Sequence, residues 1–319
     1  MEQGIANRRS PLEAPPPGIY RDISPEEYHS FDALNATTIG HFVRSGMHGA
    51  YYLNQTQDDD PPTPSMLYGT AMHTAYLEPE KYRQTAYTPT VEVKVGDDVI
   101  HKPILADQCQ WKTHKPIADE HPDKLILHAE WAERIEAMRK QLDAHPRANM
   151  LFNEVEGTNE LTLVWHLKVK GQKIPCKCRV DRFLPSFVPT ADHDTPVSGI
   201  ADLKTSSSID PHKFERSIWD YGYHRQAAWY LLGAIAHNLI PEQLHDFSYQ
   251  IVAVEKTAPY PVTVFPLTAG TIQQGINECR VGLLAYAKYR MHGIAPGPCD
   301  SYIPATLPAY LIEDERNAI

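Results

Sequence analysis

The stretch "SGIADLKTSSSIDPHKFERS" constrains the fold more than any other, because it predicts where a strand ends and a helix begins. Residues 198–206 have the pattern of a strand, and Asp210 followed by Pro211 is typical of a helix start, where a capping side chain precedes proline. Asp202 and Lys204 are two residues apart in the strand, so their side chains lie on one face. Such a pair is either a solvated ion pair or part of a reactive site.

The Asp-x-Lys tripeptide does not decide between these alternatives, because a second acid-x-Lys copy occurs at Glu92 and Lys94. Isolated pairs of this kind are usually surface ion pairs that contribute little. The later copy differs because Asp181, in "CRVDRF", precedes it on a neighbouring strand segment, whereas no comparable acid precedes Glu92. Two carboxylates on adjacent strands supply oxygen ligands that Mg²⁺ prefers. Lys204 beside such an ion can orient or deprotonate an attacking water and stabilise developing negative charge.

Helix and strand patterns are interleaved along the chain, which predicts an α/β or α+β fold with a mixed sheet flanked by helices. Strand patterns occupy residues 91–95, 160–167, 173–185, 198–206, 247–254 and 263–267. Helix patterns occupy residues 34–54, 65–82, 125–146, 211–221, 223–239 and 271–289, the first with Asn35 or Thr37 as its cap. Three regions are expected outside this pattern: a flexible Pro-rich arm over 1–23, a mostly polar linker over 85–124, and a solvated loop with Asp192, His193 and Asp194.

Composition limits the classes of function. The chain has 319 residues, 30 basic and 40 acidic, and a net charge of −10, which argues against nonspecific coating of nucleic acid but is compatible with a local basic channel. Its five cysteines are scattered without a CxxC pair, which indicates reduced thiols in a cytoplasm-like compartment. The longest apolar run, "AAWYLLGAIA", is too short to span a bilayer. The sequence has no GxxxxGK[ST] phosphate loop, so we expect no helicase motor in this chain.

Four segments follow one another in a restrictive order: "YGTAMH", "CRVDRF", "ADLKTS" and "RQAAWY". In this order the sequence resembles the RecB-like PD-(D/E)xK nucleases, and it is most similar to the RecE group, the exonuclease VIII nucleases of prophages. "LNATTIGHF" and the ending "YIPATLPAYL" strengthen the likeness, which extends over residues 32–312. The resemblance implies a restriction-endonuclease-like core with a mixed central sheet, in a single domain over residues 24–319 with a helical N-terminal part.

The resemblance also implies a role for each matching residue. The metal ligands would be His73, Asp181 and Asp202, and the catalytic residues Lys204, Glu160, Gln226 and Tyr230. Separately, the candidates for phosphate contacts in a locally basic channel are Arg44, Arg179, Arg182 and Arg225. Gln226 and Tyr230 are one helical turn apart, so they share a face and would contact DNA phosphate at the edge of the active site. Glu160 is the candidate for the family's intermediate acid, with Glu154 and Glu156 as open alternatives.

The activity implied by the resemblance is hydrolysis of DNA with Mg²⁺, for which Mn²⁺ can substitute. We expect a 5′-to-3′ exonuclease that acts on double-stranded DNA ends and leaves 3′ overhangs for recombination. The alternatives are a single-strand or structure-specific nuclease on the same fold, and a catalytically inactive DNA-binding or anti-defence protein. The same resemblance implies a ring-shaped homo-oligomer, a single-strand annealing partner, and the cytoplasm of a bacterial or phage-infected cell. An iron–sulfur cluster is not expected, because no cysteine precedes His73 and only Cys279 and Cys299 lie late in the chain.

Overall fold

A computed structural model describes residues 13–55, 61–190, 195–240 and 247–299. Its centre is a six-stranded mixed sheet in the order β1-β6-β7-β8-β9-β10, in which only the β8–β9 pair is parallel. The strands are β1 (Gly18–Tyr20), β2 (Ala86–Tyr87), β3 (Thr90–Val95), β4 (Asp98–Pro103), β5 (Leu125–Ile126), β6 (Thr158–Val169), β7 (Gln172–Phe187), β8 (Val197–Ser206), β9 (Phe247–Glu255) and β10 (Val262–Pro266).

Helices cover both faces of this sheet, as the sequence predicts. They are α1 (Pro25–Ser30), α2 (Ala36–Arg44), α3 (Gly46–Asn54), α4 (Pro64–Leu77), α5 (Pro79–Thr85), α6 (Trp111–Glu120), α7 (Trp131–Ala144), α8 (Pro146–Asn149), α9 (Pro211–Asp220), α10 (Tyr223–Ala236) and α11 (Ala269–His292), with a π-helical turn at Met150–Glu154. Helices α2, α10 and α11 share one core with the sheet, around the buried Trp165 and Trp229. Helices α4 and α7 share a second core on the other face, around Met72 and Trp131.

Local capping explains where the helices around the site begin. The Asn35 side chain accepts a hydrogen bond from the Thr38 N–H at 2.8 Å, which confirms the predicted start of α2. The single helix predicted over 34–54 is wrong, because Ser45 is extended and its hydroxyl caps a second helix, α3. The Asp210 side chain caps α9 as predicted. Gly222, with φ of 70°, adopts the left-handed conformation that separates α9 from α10.

The region between α5 and α7 departs most from the sequence prediction. The helix expected over 125–146 begins only at Trp131, because Leu125 and Ile126 form a parallel pair with β2. The expected linker contains helix α6 and a hairpin made of β3 and β4. The strand predicted over residues 91–95 from its alternation is confirmed as β3, whereas β4 and α6 were not predicted.

Part of the predicted N-terminal arm is a strand. Gly18–Tyr20 pairs antiparallel with β6 and forms an edge of the sheet, so this part of the segment is not a flexible arm. Residues 1–12, the loop residues Asp192, His193 and Asp194, and the C-terminal segment that includes "YIPATLPAYL" lie outside the described residues. Among the helices that the structure describes, none has the length and apolar character needed to cross a membrane.

Candidate active site

The site forms where two adjacent antiparallel strands lose their regular geometry. Glu160 lies in β6 between the residues that pair with Val180 and Arg182, and therefore opposite Asp181. Its φ of 51° is in the left-handed region, which costs a non-glycine residue on the order of 1–3 kcal/mol. The backbone holds this conformation at the position where the Glu160 carboxylate meets two further titratable side chains.

His73, Glu160 and Asp181, which we call the acid–histidine cluster, come from three separate elements. Each offers one ligand atom, and these atoms all lie within 4.8 Å of one another. His73, on α4, places Nδ1 3.5 Å from Asp181 Oδ2. Asp181, on β7, also accepts the Leu203 backbone N–H at 2.8 Å, which fixes its carboxylate against strand β8. The structure thus brings Glu160 to the predicted metal site, while Glu154 and Glu156 are exposed.

Asp202 and Lys204 form an ion pair directly beside this cluster. Lys204 Nζ lies 2.5 Å from Asp202 Oδ2, and the Asp202 side chain is fully buried. Gln226, on α10, donates from Nε2 to Asp202 Oδ1 at 3.2 Å and to the Tyr230 hydroxyl at 2.8 Å. Asp202 is therefore held by Lys204 and Gln226, outside the set of ligand atoms that lie together, and its predicted role as a metal ligand stays a prediction.

Burial and like charge together disfavour ionisation of the carboxylates in this site. Burial, followed by the charge of Asp181, raises the pKa of Glu160 to about 7. Burial raises the pKa of Asp181 and of Asp202 as well, although the Lys204 ammonium counteracts part of this effect. Burial and then the charge of Lys204 lower the pKa of His73 to about 4, so the imidazole is neutral and free to bind an ion. A cation placed among these groups would relieve the repulsion between the carboxylates.

The donor set of the acid–histidine cluster fits a divalent cation. Two carboxylates supply hard oxygen ligands, and a neutral imidazole supplies one nitrogen. Carboxylates suit Mg²⁺ and Mn²⁺, and the nitrogen ligand suits the more tolerant Mn²⁺ as well. An ion held there would also accept water and a phosphate oxygen as ligands.

Two of the four arginines expected to contact phosphate are bonded within the protein. Arg182 is 8% exposed and its guanidinium donates to the Leu151 and Val155 carbonyls and to Asn159 Oδ1. These bonds occupy the Arg182 guanidinium inside the protein, so the prediction of a phosphate contact is wrong for Arg182. Arg179 pairs with Glu160 and, at 3.7 Å, with Glu78, so it restrains an acid of the cluster, and its predicted phosphate contact stays a prediction.

The other two arginines line a cavity of about 460 Å³ on the α10 side of the site. Gln226 and Tyr230 form part of the same wall, so the cavity reaches the residues that hold Asp202. Arg225 is fixed by Glu278 at 2.7 Å, whereas Arg44 stands at the end of α2. The cavity therefore combines positive charge with direct access to the predicted catalytic residues.

Two tyrosines that the sequence did not single out lie beside the ion pair. The ring centroid of Tyr223 lies 5.1 Å from Lys204 Nζ, a cation–π distance. Tyr249 is fully buried beside Asp202 and adds to the polar surroundings of that carboxylate. Tyr223 precedes Gln226 by three residues on α10, so helical spacing could have placed it on the catalytic face. Tyr249 alternates with apolar residues in a buried strand, and nothing in its sequence distinguishes it from the core.

A six-stranded mixed sheet with an acid, an Asp-x-Lys pair and a helix-borne histidine at its centre defines a PD-(D/E)xK-type core. The chain belongs to the family of PDDEXK-like domains of unknown function (DUF3799), whose model matches residues 36–302. The sequence matches no curated protein.

Among solved structures, the chain is similar to a candidate exonuclease from Eubacterium rectale, with a TM-score of 0.56 and 13% identity over 91% of this chain and 97% of the other. At that identity the likeness shows the fold alone. The protein SSO0001 (10% identity, covering 80% of this chain and 85% of the other) gives a TM-score of 0.28. Candida albicans Rai1 in complex with pU5-Mn²⁺ (9% identity, covering 83% and 68%) gives 0.27. TM-scores this low do not show a shared fold.

Proposed function

We propose that this protein is a divalent-metal-dependent DNA nuclease. The observation that carries the proposal is the acid–histidine cluster, which gathers ligand atoms within 4.8 Å of one another beside the Lys204–Asp202 ion pair. Membership of a PDDEXK-like family supports the same reading. The chemistry that an ion bound there supplies is polarisation of a phosphate oxygen and acidification of a bound water.

The chain's own residues act around that ion. The Lys204 ammonium, held between Asp202 and the ring of Tyr223, places fixed positive charge where negative charge develops on the phosphate. Gln226 fixes the Asp202 carboxylate and so fixes Lys204 through it. Leu203 donates its backbone N–H to Asp181 and restrains that ligand. The reaction is displacement at phosphorus by water, with the leaving 3′ or 5′ oxygen departing in line.

The finer assignment is a 5′-to-3′ exonuclease on double-stranded DNA that uses Mg²⁺, with Mn²⁺ as a substitute, and leaves 3′ overhangs for recombination. The family resemblance supports this assignment, and so does the cavity that Arg44, Arg225 and Gln226 line. These two arginines are the proposed phosphate contacts. The homo-oligomeric ring, the single-strand annealing partner and the cytoplasmic location are proposals that rest on the resemblance alone.

The test is digestion of an end-labelled linear duplex with Mg²⁺ or Mn²⁺, with closed circles and single strands as parallel substrates. Lys204→Ala should lower the cleavage rate by roughly a thousandfold while DNA binding persists, because it removes charge used in the transition state. Lys94→Ala is the matched control, since it alters the other acid-x-Lys copy, which lies on the exposed hairpin. We expect its rate to equal that of the unaltered protein.

Each substrate distinguishes one alternative. Cleavage of the linear duplex from its 5′ ends supports the exonuclease assignment. Preferential cleavage of single strands or of closed circles identifies a different nuclease on the same fold. Binding of duplex without release of nucleotides with either metal would contradict the nuclease proposal and favour an inactive DNA-binding protein.

A further inference from the structure

The hairpin formed by β3 and β4 stands apart from both hydrophobic cores. Every residue of β4 is exposed, and in β3 only Val93 is partly covered. Gly96, with φ of 65°, allows the tight two-residue turn between the strands. An isolated two-stranded hairpin is marginally stable in water, so a hairpin that projects in this way is expected to gain stability from something that covers it.

One face of the hairpin is apolar and the other is polar. Cross-strand partners share a face, and the pairs Val91–Lys102, Val93–Ile100 and Val95–Asp98 therefore lie together. Val91, Val95 and Ile100 are 47%, 53% and 38% exposed, which leaves an unpartnered row of branched side chains on this face. Contiguous apolar rows of this kind are candidates for contact with another surface.

The charges of the hairpin disfavour DNA as its binding partner. It carries three acids, Glu92, Asp97 and Asp98, against two lysines, Lys94 and Lys102, so its net charge is −1. Nucleic acid binds surfaces with excess positive charge. The apolar face, with one acid at one end and one lysine at the other, suits a protein surface of matching pattern.

The apolar face is complementary to itself. Asp98 and Lys102 lie at equal distances on either side of Ile100, and Val91 and Val95 lie at equal distances on either side of Val93. Consider a two-fold axis along the Val93–Ile100 row. It places Asp98 of each chain opposite Lys102 of the other chain, and it places Val91 of each chain opposite Val95 of the other. Neither Asp98 nor Lys102 makes an ion pair within the described part of the chain.

We propose that this face is an isologous contact between two copies of the chain, packed hairpin to hairpin in opposite directions. Sheets stacked face to face pack about 10 Å apart, a separation at which these side chains interdigitate and the two ion pairs close at the rim. The proposal does not depend on the nuclease assignment. A single hairpin covers less than the roughly 800 Å² per partner of a standard stable interface, so we expect reversible association at micromolar concentrations.

The test is sedimentation equilibrium of the full chain over a range of concentrations, with charge-reversed variants. Asp98→Lys and Lys102→Asp should each weaken self-association at least about tenfold, because each creates two like-charge contacts across the axis. The double variant Asp98→Lys/Lys102→Asp should restore association to within about threefold, because it regenerates both ion pairs in reverse. Glu92→Lys, on the polar face of the same hairpin, is the matched control and should leave association unchanged. Circular dichroism checks that each variant is folded.

Two results would overturn the proposal: a chain that stays monomeric at every concentration, and an association that the single reversals leave unchanged. Failure of the double variant to recover would also contradict it, because self-complementarity requires the exchange to be compensated. If Asp98→Lys instead strengthens binding of a DNA duplex without altering association, the hairpin faces DNA. If neither property changes, the occupant is a different protein.

Discussion

Two histidine clusters in the described part of the protein combine histidine with acid but differ in character. In the acid–histidine cluster, carboxylates lie close to one another, and the pKa of Asp181 is raised by burial. In the second cluster, His114 Nδ1 lies 2.9 Å from His128 Nε2, and Asp107 stands nearby. Asp107 accepts from Trp131 at 2.7 Å and from Arg134 at 2.9 Å, and these bonds outweigh its partial burial and lower its pKa.

The charges and hydrogen-bonding groups that a polar cluster leaves unsatisfied indicate its function better than its residue types do. The second cluster satisfies its groups internally: the histidines bond to each other, and His128 stacks on Trp131 with ring centroids 4.1 Å apart. It serves to join α6 to α7. The acid–histidine cluster crowds acids that repel one another and holds Glu160 in a left-handed conformation, both of which a bound cation would compensate.

The largest difference between the clusters should appear when the same substitution is made in each. Asp181→Asn should lower DNA cleavage by roughly a thousandfold, because it removes a charged ligand from the reacting centre. Asp107→Asn should leave the rate within about twofold and lower the free energy of unfolding by about 1–3 kcal/mol, because it weakens buried hydrogen bonds. Single-turnover cleavage and urea unfolding measure the two effects. Comparable loss of activity in both variants would contradict the distinction.

Metal addition should stabilise the protein through one cluster only. At a Mg²⁺ or Mn²⁺ concentration about a hundred times Kd, binding to the folded state adds about 2.7 kcal/mol. Differential scanning calorimetry should show a rise in Tm for the unaltered chain and for His114→Gln, but little or no rise for Glu160→Gln. A full Tm shift in Glu160→Gln would show that the ion binds elsewhere.

Acid should destabilise the protein through His114 in the second cluster, whereas in the acid–histidine cluster the lowered pKa of His73 is opposed by the raised pKa of Glu160. Burial, followed by the neighbouring His128, lowers the pKa of His114 from 6.5 to about 4, so between these pH values the unfolded state binds more protons than the folded state. The stability therefore falls as pH drops from 6.5 towards 4, by on the order of 2 kcal/mol for this group. Urea unfolding across this range measures the slope, which His114→Gln should make shallower. An unchanged slope would mean that His114 is protonated in the folded state.

The smallest expected effect concerns the ring over Lys204. Tyr223→Leu should lower kcat by roughly fivefold with KM nearly unchanged, because a cation–π contact of about 1 kcal/mol helps to position the ammonium. Tyr223→Phe keeps the ring face and should retain the rate. Steady-state kinetics on a short duplex separates the two variants, and equal loss in both would assign the effect to the Tyr223 hydroxyl.

Much of the sheet could be predicted because apolar alternation survives in its strands. The strand patterns around Asp181 and Asp202 and the cap at Asp210 are local signals, and the structure confirms the elements they predict. The choice of Glu160 over its neighbours Glu154 and Glu156 was not local. It depends on the register of β6 against β7 and on one residue with positive φ, which no pattern of residue types encodes.

The other features that the sequence did not predict arise from contacts between segments that are distant in sequence. Arg182 resembles a DNA contact in sequence, yet its bonds reach back to Leu151 and Val155 and make it structural. The His114–His128 pair joins the expected linker to the start of the predicted helix, and neither residue type nor spacing identifies its partner. Such pairings are set by packing in three dimensions.

The central claim is that His73, Glu160 and Asp181 bind one divalent ion together. Its most direct test is titration with Mn²⁺, followed by electron paramagnetic resonance for bound metal and by electron spin echo modulation for a coordinated ¹⁴N nucleus. We expect bound Mn²⁺ with a histidine nitrogen in the unaltered chain, retained binding without the nitrogen signal in His73→Ala, and loss of binding in Asp181→Asn. A nitrogen signal that persists in His73→Ala, or Mn²⁺ affinity that Asp181→Asn leaves unchanged, would contradict the account.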